Sequence, residues 1–182
     1  MGTIEYLTGL QNQGFKSLRE SIFELKNTSI IFVHSWKNQD LFRAGQVSEA
    51  AMISLDHIVN EILRKRDELK NDSKYKGSRF ENYMNAYCGF EVSPVSISDK
   101  KQLMSIGPGL GALPRVGQKI AFVKLLNKIK HRRAREANFR IGNNDEHYFL
   151  IIIDAAMGED DTIVEFEVND FCEKCNCVSN IV

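Results

Sequence analysis

No apolar run in this sequence approaches the roughly 20 residues that a bilayer-spanning helix requires. Nor does Met1–Leu10 carry a basic stretch followed by an apolar one, so no secretory signal is read there, and a cytoplasmic location is expected. Cysteine is scarce: Cys88, Cys172, Cys175 and Cys177 are the only four, too few for a disulfide-framed fold, and they are expected as reduced thiols or metal ligands. Proline is scarcer still, and all three, Pro94, Pro108 and Pro114, fall between Gly89 and Arg115. Net charge is absent as well, with 24 Lys and Arg against 24 Asp and Glu. What remains is the composition of an ordinary globular protein, and 182 residues suit one domain with its own core.

The charge balance hides a split. Between Arg115 and Arg140 the basic side chains face one acid, Glu136, whereas from Ile141 onward ten acids face only Lys174. Such a division suggests an anion-binding patch, a partner surface, or internal pairing.

Apolar spacing predicts the elements. Ile4, Leu7, Leu10, Gly14, Leu18, Ile22 and Leu25 recur at helical intervals, and a helix is expected to continue through Trp36 to about Phe42. Gly45 reads as a break and Ser48 as the neighbourhood of a new start. Ala51, Leu55, Ile58, Ile62 and Leu69 then line a second long helix, so an antiparallel helical hairpin is expected. Asn71–Arg79 reads as a loop and Phe80–Tyr87 as a short helix, with Gly89–Arg115 as an irregular connection or flap. A basic helix is predicted over Val116–Arg135, with Phe122, Leu125, Leu126 and Ile129 as its apolar stripe.

Three strands should follow, Ala137–Ile141, Tyr148–Asp154 and Thr162–Val168, with turns at Gly142–Asp145 and Ala156–Asp161. In the third, Ile163, Glu165 and Glu167 alternate with Val164, Phe166 and Val168, as in a half-buried strand. Asp170 and Glu173 resemble a capping box opening a final helix. This order, helices to about residue 136 and then a small antiparallel meander with a terminal helix, argues for a single α+β domain.

On the expected basic helix, Lys124, Lys128, His131, Arg132 and Arg135 share one face opposite the apolar stripe. Cations arranged so suit phosphate contacts, because each displaces a condensed counterion. The same face also suits plain solvation, pairing with the acidic strand, or a protein partner. Asn127 and His131 lie one helical turn apart, so amide, ammonium and imidazole could converge there, the histidine as acid or base and the cation on a developing phosphorane.

The long hairpin followed by a helix with this Asn127-x-x-Lys130-His131 string resembles HEPN-type helical proteins. That family has bundle folds, often dimerises, and includes metal-independent ribonucleases of toxin and antiphage systems. Its usual signature places an Arg a few residues ahead of a His on one helix. The nearest spacing here, Arg140 to His147, straddles the Gly142–Asn143 turn. The expected function is RNA binding through the basic face, Lys124, Lys128, Lys130, His131, Arg132 and Arg135, with dimerisation through the hairpin and, if RNA is cut, His131 as acid-base group with Lys130 and Asn127 orienting the phosphate. No cofactor is implied.

Other groupings have plainer readings. Cys172-x-x-Cys175-x-Cys177 could ligate zinc, but Phe171, Cys175, Val178 and Val182 make an apolar helical stripe in which cysteine packs as a small hydrophobe. Asp56, His57, Asn60 and Glu61 read as a solvated face. Gly107–Gly111 lacks the Lys-Ser/Thr of a phosphate loop and reads as a flexible turn. A non-enzymatic interaction protein of immunity, antitoxin or accessory type, docking a basic partner on its acidic C-terminal region, is the alternative function. A small-molecule pocket beneath Gly89–Arg115 is also compatible with these residues.

Overall fold

The structure, a computed structural model, describes residues 17–153 and 161–181, with the backbone alone for residues 133–135. The expected positions Ile4, Leu7, Leu10 and Gly14, most of the Ala156–Asp161 turn, Val182 and the Arg135 side chain lie outside that description.

Ser17 and Glu20 form a capping box at the start of helix α1 (Leu18–Lys37). The β-branched run from Thr28 stays helical because Ile22, Leu25, Phe32 and Val33 form one buried stripe. The hydroxyl of Thr28 also donates to the carbonyls of Glu24 and Leu25. The chain then turns earlier than expected. Gln39 takes a positive φ of 63°, and Asp40 accepts from the amide of Arg43 as N-cap of α2 (Leu41–Asn71). Gly45 therefore sits inside α2 with open space at its Cβ position, and Ser48 starts nothing. Asp40 carries the start signal, and the hairpin itself is present as expected.

A short helix α3 (Arg79–Asn85), capped by Ser78, leads into β1 (Tyr87–Pro94). The segment expected to be irregular is thus largely ordered. After β1 a second capping box, Ser96 with Asp99, opens α4 (Ile97–Ser105). The predicted basic helix is divided. Gln118–Ala121 forms β2 against β1, α5 covers only Phe122–Lys130, and β3 begins at Arg132. Beyond Ile129 the next positions of the stripe are Arg132, Arg133 and Glu136, so no apolar residue remains to hold a helix against the core. β3 (Arg132–Ile141), β4 (His147–Ile153) and β5 (Thr162–Glu167) make the expected meander. Helix α6 (Val168–Ser179) closes the described chain, capped by Glu167 rather than Asp170.

The five strands run antiparallel in the order β2-β1-β5-β4-β3. One sheet face carries Ile151, Ile153, Val164 and Phe166 into the main core with α1, α2, α5 and α6. The opposite face is apolar too. Leu150, Ile152 and Ile163 pack there with Val95, Leu103 and Leu113 from the connection between β1 and β2.

Asn138 on β3 holds this second cover in place. Its amide nitrogen donates to the carbonyls of Leu103 (2.9 Å) and Gly107 (3.0 Å), and its oxygen accepts from the amides of Gly109 (3.2 Å) and Phe139 (2.7 Å). Gly111 adds an amide bond to the carbonyl of Phe139. The Gly107–Gly111 stretch is therefore a clasped segment and not a free turn. At Gly109, with φ of +86°, a Cβ would stand 3.3 Å from the Trp36 ring.

Removing the clasp strands buried carbonyls. Asn138→Ala is expected to lower the urea midpoint, with a loss of about 2–3 kcal/mol, since unpaired buried polar groups each cost on the order of 1–3 kcal/mol. An unchanged midpoint in equilibrium unfolding would contradict this role.

Candidate functional site

The sequence-predicted cations do not share one surface. Lys124 and Lys130 on α5 are exposed, as is His131, which caps that helix with its backbone amide. Lys128 is half-buried and donates to the hydroxyl of Thr162 (2.8 Å) at the start of β5. Arg66 of α2 donates to Asn127 (3.4 Å), which fixes the amide against α2. Arg132, now on a strand, has a side chain only 10% exposed. It donates from Nη1 to Asp56 (2.6 Å) and to the carbonyl of Ile129 (2.9 Å), and its Nε has no partner. The guanidinium so tied joins the end of α5 to α2. Among the described side chains, Lys124, Lys130 and His131 are exposed at this corner.

Strand alternation separates the opposite charge. Val164 and Phe166 face α5 in the main core, so Glu165 and Glu167 point to the other side of the sheet. The acidic strand consequently does not cover the basic helix. Arg140 meets Glu165 instead, through two bonds (2.8 and 3.3 Å), and stacks on the ring of Tyr148. His147 pairs in register with Ile141 while Arg140 pairs with Tyr148. Adjacent residues of one strand project from opposite faces, so Arg140 and His147 do not converge.

The acids collect at one end of the sheet around a groove of about 490 Å³. The floor is a strip of α1: Lys26, Ser29, Ile30 and Val33. The β3–β4 turn supplies Asp145 and Glu146, and the entry to α6 supplies Glu167 and Asp170. Each wall is built by local chemistry. Asp145 takes a positive φ of 66° in the turn and pairs with Lys37. The Asn144 amide bonds to Glu146 and holds its carboxyl below the usual range. Glu167 is spent on the amides of Asn169 and Asp170. Asp170 makes no hydrogen bond from its carboxylate among the described residues. On the same side of α1 as Ile30, Phe23 is exposed, and Ile53 and Phe42 are exposed on α2.

Behind the floor lies a smaller apolar cavity of about 50 Å³, lined by Leu25, Phe32, Met52, Leu55 and Phe149 among others. Its polar edge is Ser29, whose Oγ lies 2.9 Å from His147 Nδ1. The imidazole stacks on Phe32 at 4.8 Å and meets Phe139 edge-on. Burial pulls His147 down to about 4. Among the described residues no carboxylate bonds the imidazole as the orienting acid of a hydrolytic triad would, and the pair works as a staple between α1 and the sheet. His57 is bound similarly to Ser21 (2.8 Å), and Ser54 to Glu24 (2.8 Å), across the hairpin.

The cysteines are packing groups. Cys88, Cys172 and Cys175 are buried, and burial pushes the Cys172 thiol up to about 12 and Cys175 well up. Cys177 is exposed. Among the described residues no group of three His, Cys, Asp or Glu is placed to hold a metal ion, and no helix is long and apolar enough to cross a membrane.

His147 sets a pH dependence. Its folded-state value lies below the ordinary 6.5, so the unfolded chain binds the extra proton. The stabilisation is complete above pH 6.5 and is lost as pH falls toward 4, by about 3 kcal/mol at roughly 1.4 kcal/mol per unit. Urea midpoints measured from pH 7 to 4 should drop steeply for the native chain and less for His147→Gln. Parallel curves would contradict the staple.

Comparison with protein-family models, with curated proteins and with solved structures returns no match.

Proposed function

We propose that this chain is a non-enzymatic interaction protein whose acidic groove takes a cationic segment of a protein partner. The observation that carries this reading is the groove itself: four carboxylates, Asp145, Glu146, Glu167 and Asp170, wall a floor of Ile30, Val33, Ser29 and Lys26, against two cations, Lys26 and the Lys37 that pairs with Asp145. A peptide with alternating basic and aliphatic side chains matches both features, the cations toward the rim and the aliphatics on Ile30 and Val33. Exposed Phe23 extends the apolar strip beyond the groove.

A second reading keeps the polyanion, RNA in particular. It is favoured by the exposure of Lys124, Lys130 and His131 together with the acids of β5 pointing to the far side of the sheet. In that reading Lys128, Asn127 and Arg132 position the corner, and His131 is the one acid-base group at its surface.

One titration separates the two. Anisotropy of a labelled Lys/Leu peptide, and of single-stranded and hairpin RNA with chelator present, is followed as NaCl rises. The groove reading predicts peptide binding that weakens with salt and falls roughly tenfold in Asp145→Asn/Asp170→Asn, with Lys124→Ala/Lys130→Ala unaffected. RNA binding lost in the lysine variant, with no peptide binding at low salt, would reverse the order of the readings. Light scattering on the same samples reads association of two copies through the hairpin.

A further inference from the structure

The second face of the sheet holds a cleft that neither reading uses. Helix α4 and residues 112–114 enclose about 170 Å³ above Ile163. Ile163 is fully buried and Leu103 is 4% exposed, so the floor is apolar, and Leu113 and Ile106 form the sides. Asp99 and Gln102 are the polar side chains of its lining. Asp99 is already satisfied there: it accepts from the Ser96 amide (2.8 Å) and hydroxyl (2.9 Å) and from Arg115 Nη2 (2.8 Å). Its charge is therefore matched before any ligand arrives. The Gln102 amide is exposed and makes no hydrogen bond among the described residues.

From this arrangement we infer that the cleft is a binding site for a small neutral molecule with a ring-sized apolar body and one hydroxyl. The volume is comparable with the roughly 150 Å³ apolar cavity that accepts benzene in an engineered protein. A charged ligand gains little, because the Asp99–Arg115 pair is internally neutral and the floor offers no counter-charge. A hydroxyl gains the Gln102 amide. The covering segment suits entry. It is clasped by Asn138 near Gly107 and Gly109, both at positive φ, and its far end returns to α4 through Arg115, whose side chain is 52% exposed. The Arg115–Asp99 contact is the weak end of the cover, since an exposed ion pair contributes little.

The test is an amide chemical-shift titration of the full chain with phenol, toluene and benzoate. Phenol should move the amides of Leu103, Leu113 and Ile163 at millimolar concentration, toluene should bind about threefold to tenfold more weakly, and benzoate should not bind. Gln102→Leu should bring phenol to the level of toluene. Ala112→Phe and Leu113→Phe fill the cleft from different sides, and either one, once its spectrum shows a folded chain, should abolish the phenol shifts. The inference is overturned if none of the probes binds or if the shifts persist in a folded filled variant. Shifts gathered on Leu25, Ala51 and Phe149 would also overturn it, by placing the ring behind α1.

Discussion

Where Leu150–Ile153 of β4 lie beside Ile163 and Val164 of β5, the sheet is apolar on both faces, and the rest of the molecule answers to that. Leu150, Ile151, Ile152 and Ile153 are four consecutive aliphatic residues with at most 2% exposure, and Ile163 and Val164 beside them are fully buried. Successive side chains of a strand point to opposite sides, so burying all of them requires two covers. At roughly 1.5–3 kcal/mol for each large aliphatic side chain, neither face can be left wet. The helices provide one cover. The other falls to a Gly- and Pro-containing connection that packs Val95, Leu103 and Leu113 on the sheet, and Asn138 ties that connection to β3 through three hydrogen bonds, to Leu103, Gly107 and Gly109.

The same alternation sorts the charge. Ile163, Glu165 and Glu167 share a face, so once Ile163 goes beneath the second cover the two acids follow it away from α5. A sign change that is abrupt along the chain thus becomes a separation across the sheet. Cations remain at the end of α5, Glu165 pairs with Arg140, and Glu167 joins the acids of the β3–β4 turn and Asp170 around the groove. Local needs of the backbone, a turn at Asn144–Glu146 and a helix start at Glu167, place half of the groove's carboxylates.

Much of this fold was legible in the sequence where periodicity is long. The two stripes of the hairpin, the alternation in β5, the Gly142–Asp145 turn and the buried cysteines of α6 all follow from spacing. Errors fell where a short element depends on distant pairing. β1 is buried through β5, more than 60 positions along the chain, and β2 is four residues long with mostly exposed side chains. The end of α5 was readable in principle, since nothing apolar continues its stripe after Ile129. Asp40 was the better start signal than Ser48. The groove and the Ser29–His147 pair were out of reach, because they join segments more than 100 positions apart and leave no local spacing to find. The facing of Glu165 and Glu167 was available, and with it the separation of the acidic strand from the basic helix.

Residue-resolved amide hydrogen exchange on the unmodified chain tests the two-cover account most directly. The account predicts that the amides of Leu150–Ile153 and Ile163–Phe166 exchange only through global opening. It also predicts that Gly109 and Gly111, held to Asn138 and Phe139, are protected well above an open loop. Free exchange at Gly109 and Gly111, with Leu150, Ile152 and Ile163 still slow, would contradict it, because the second apolar face would then be stable without its cover.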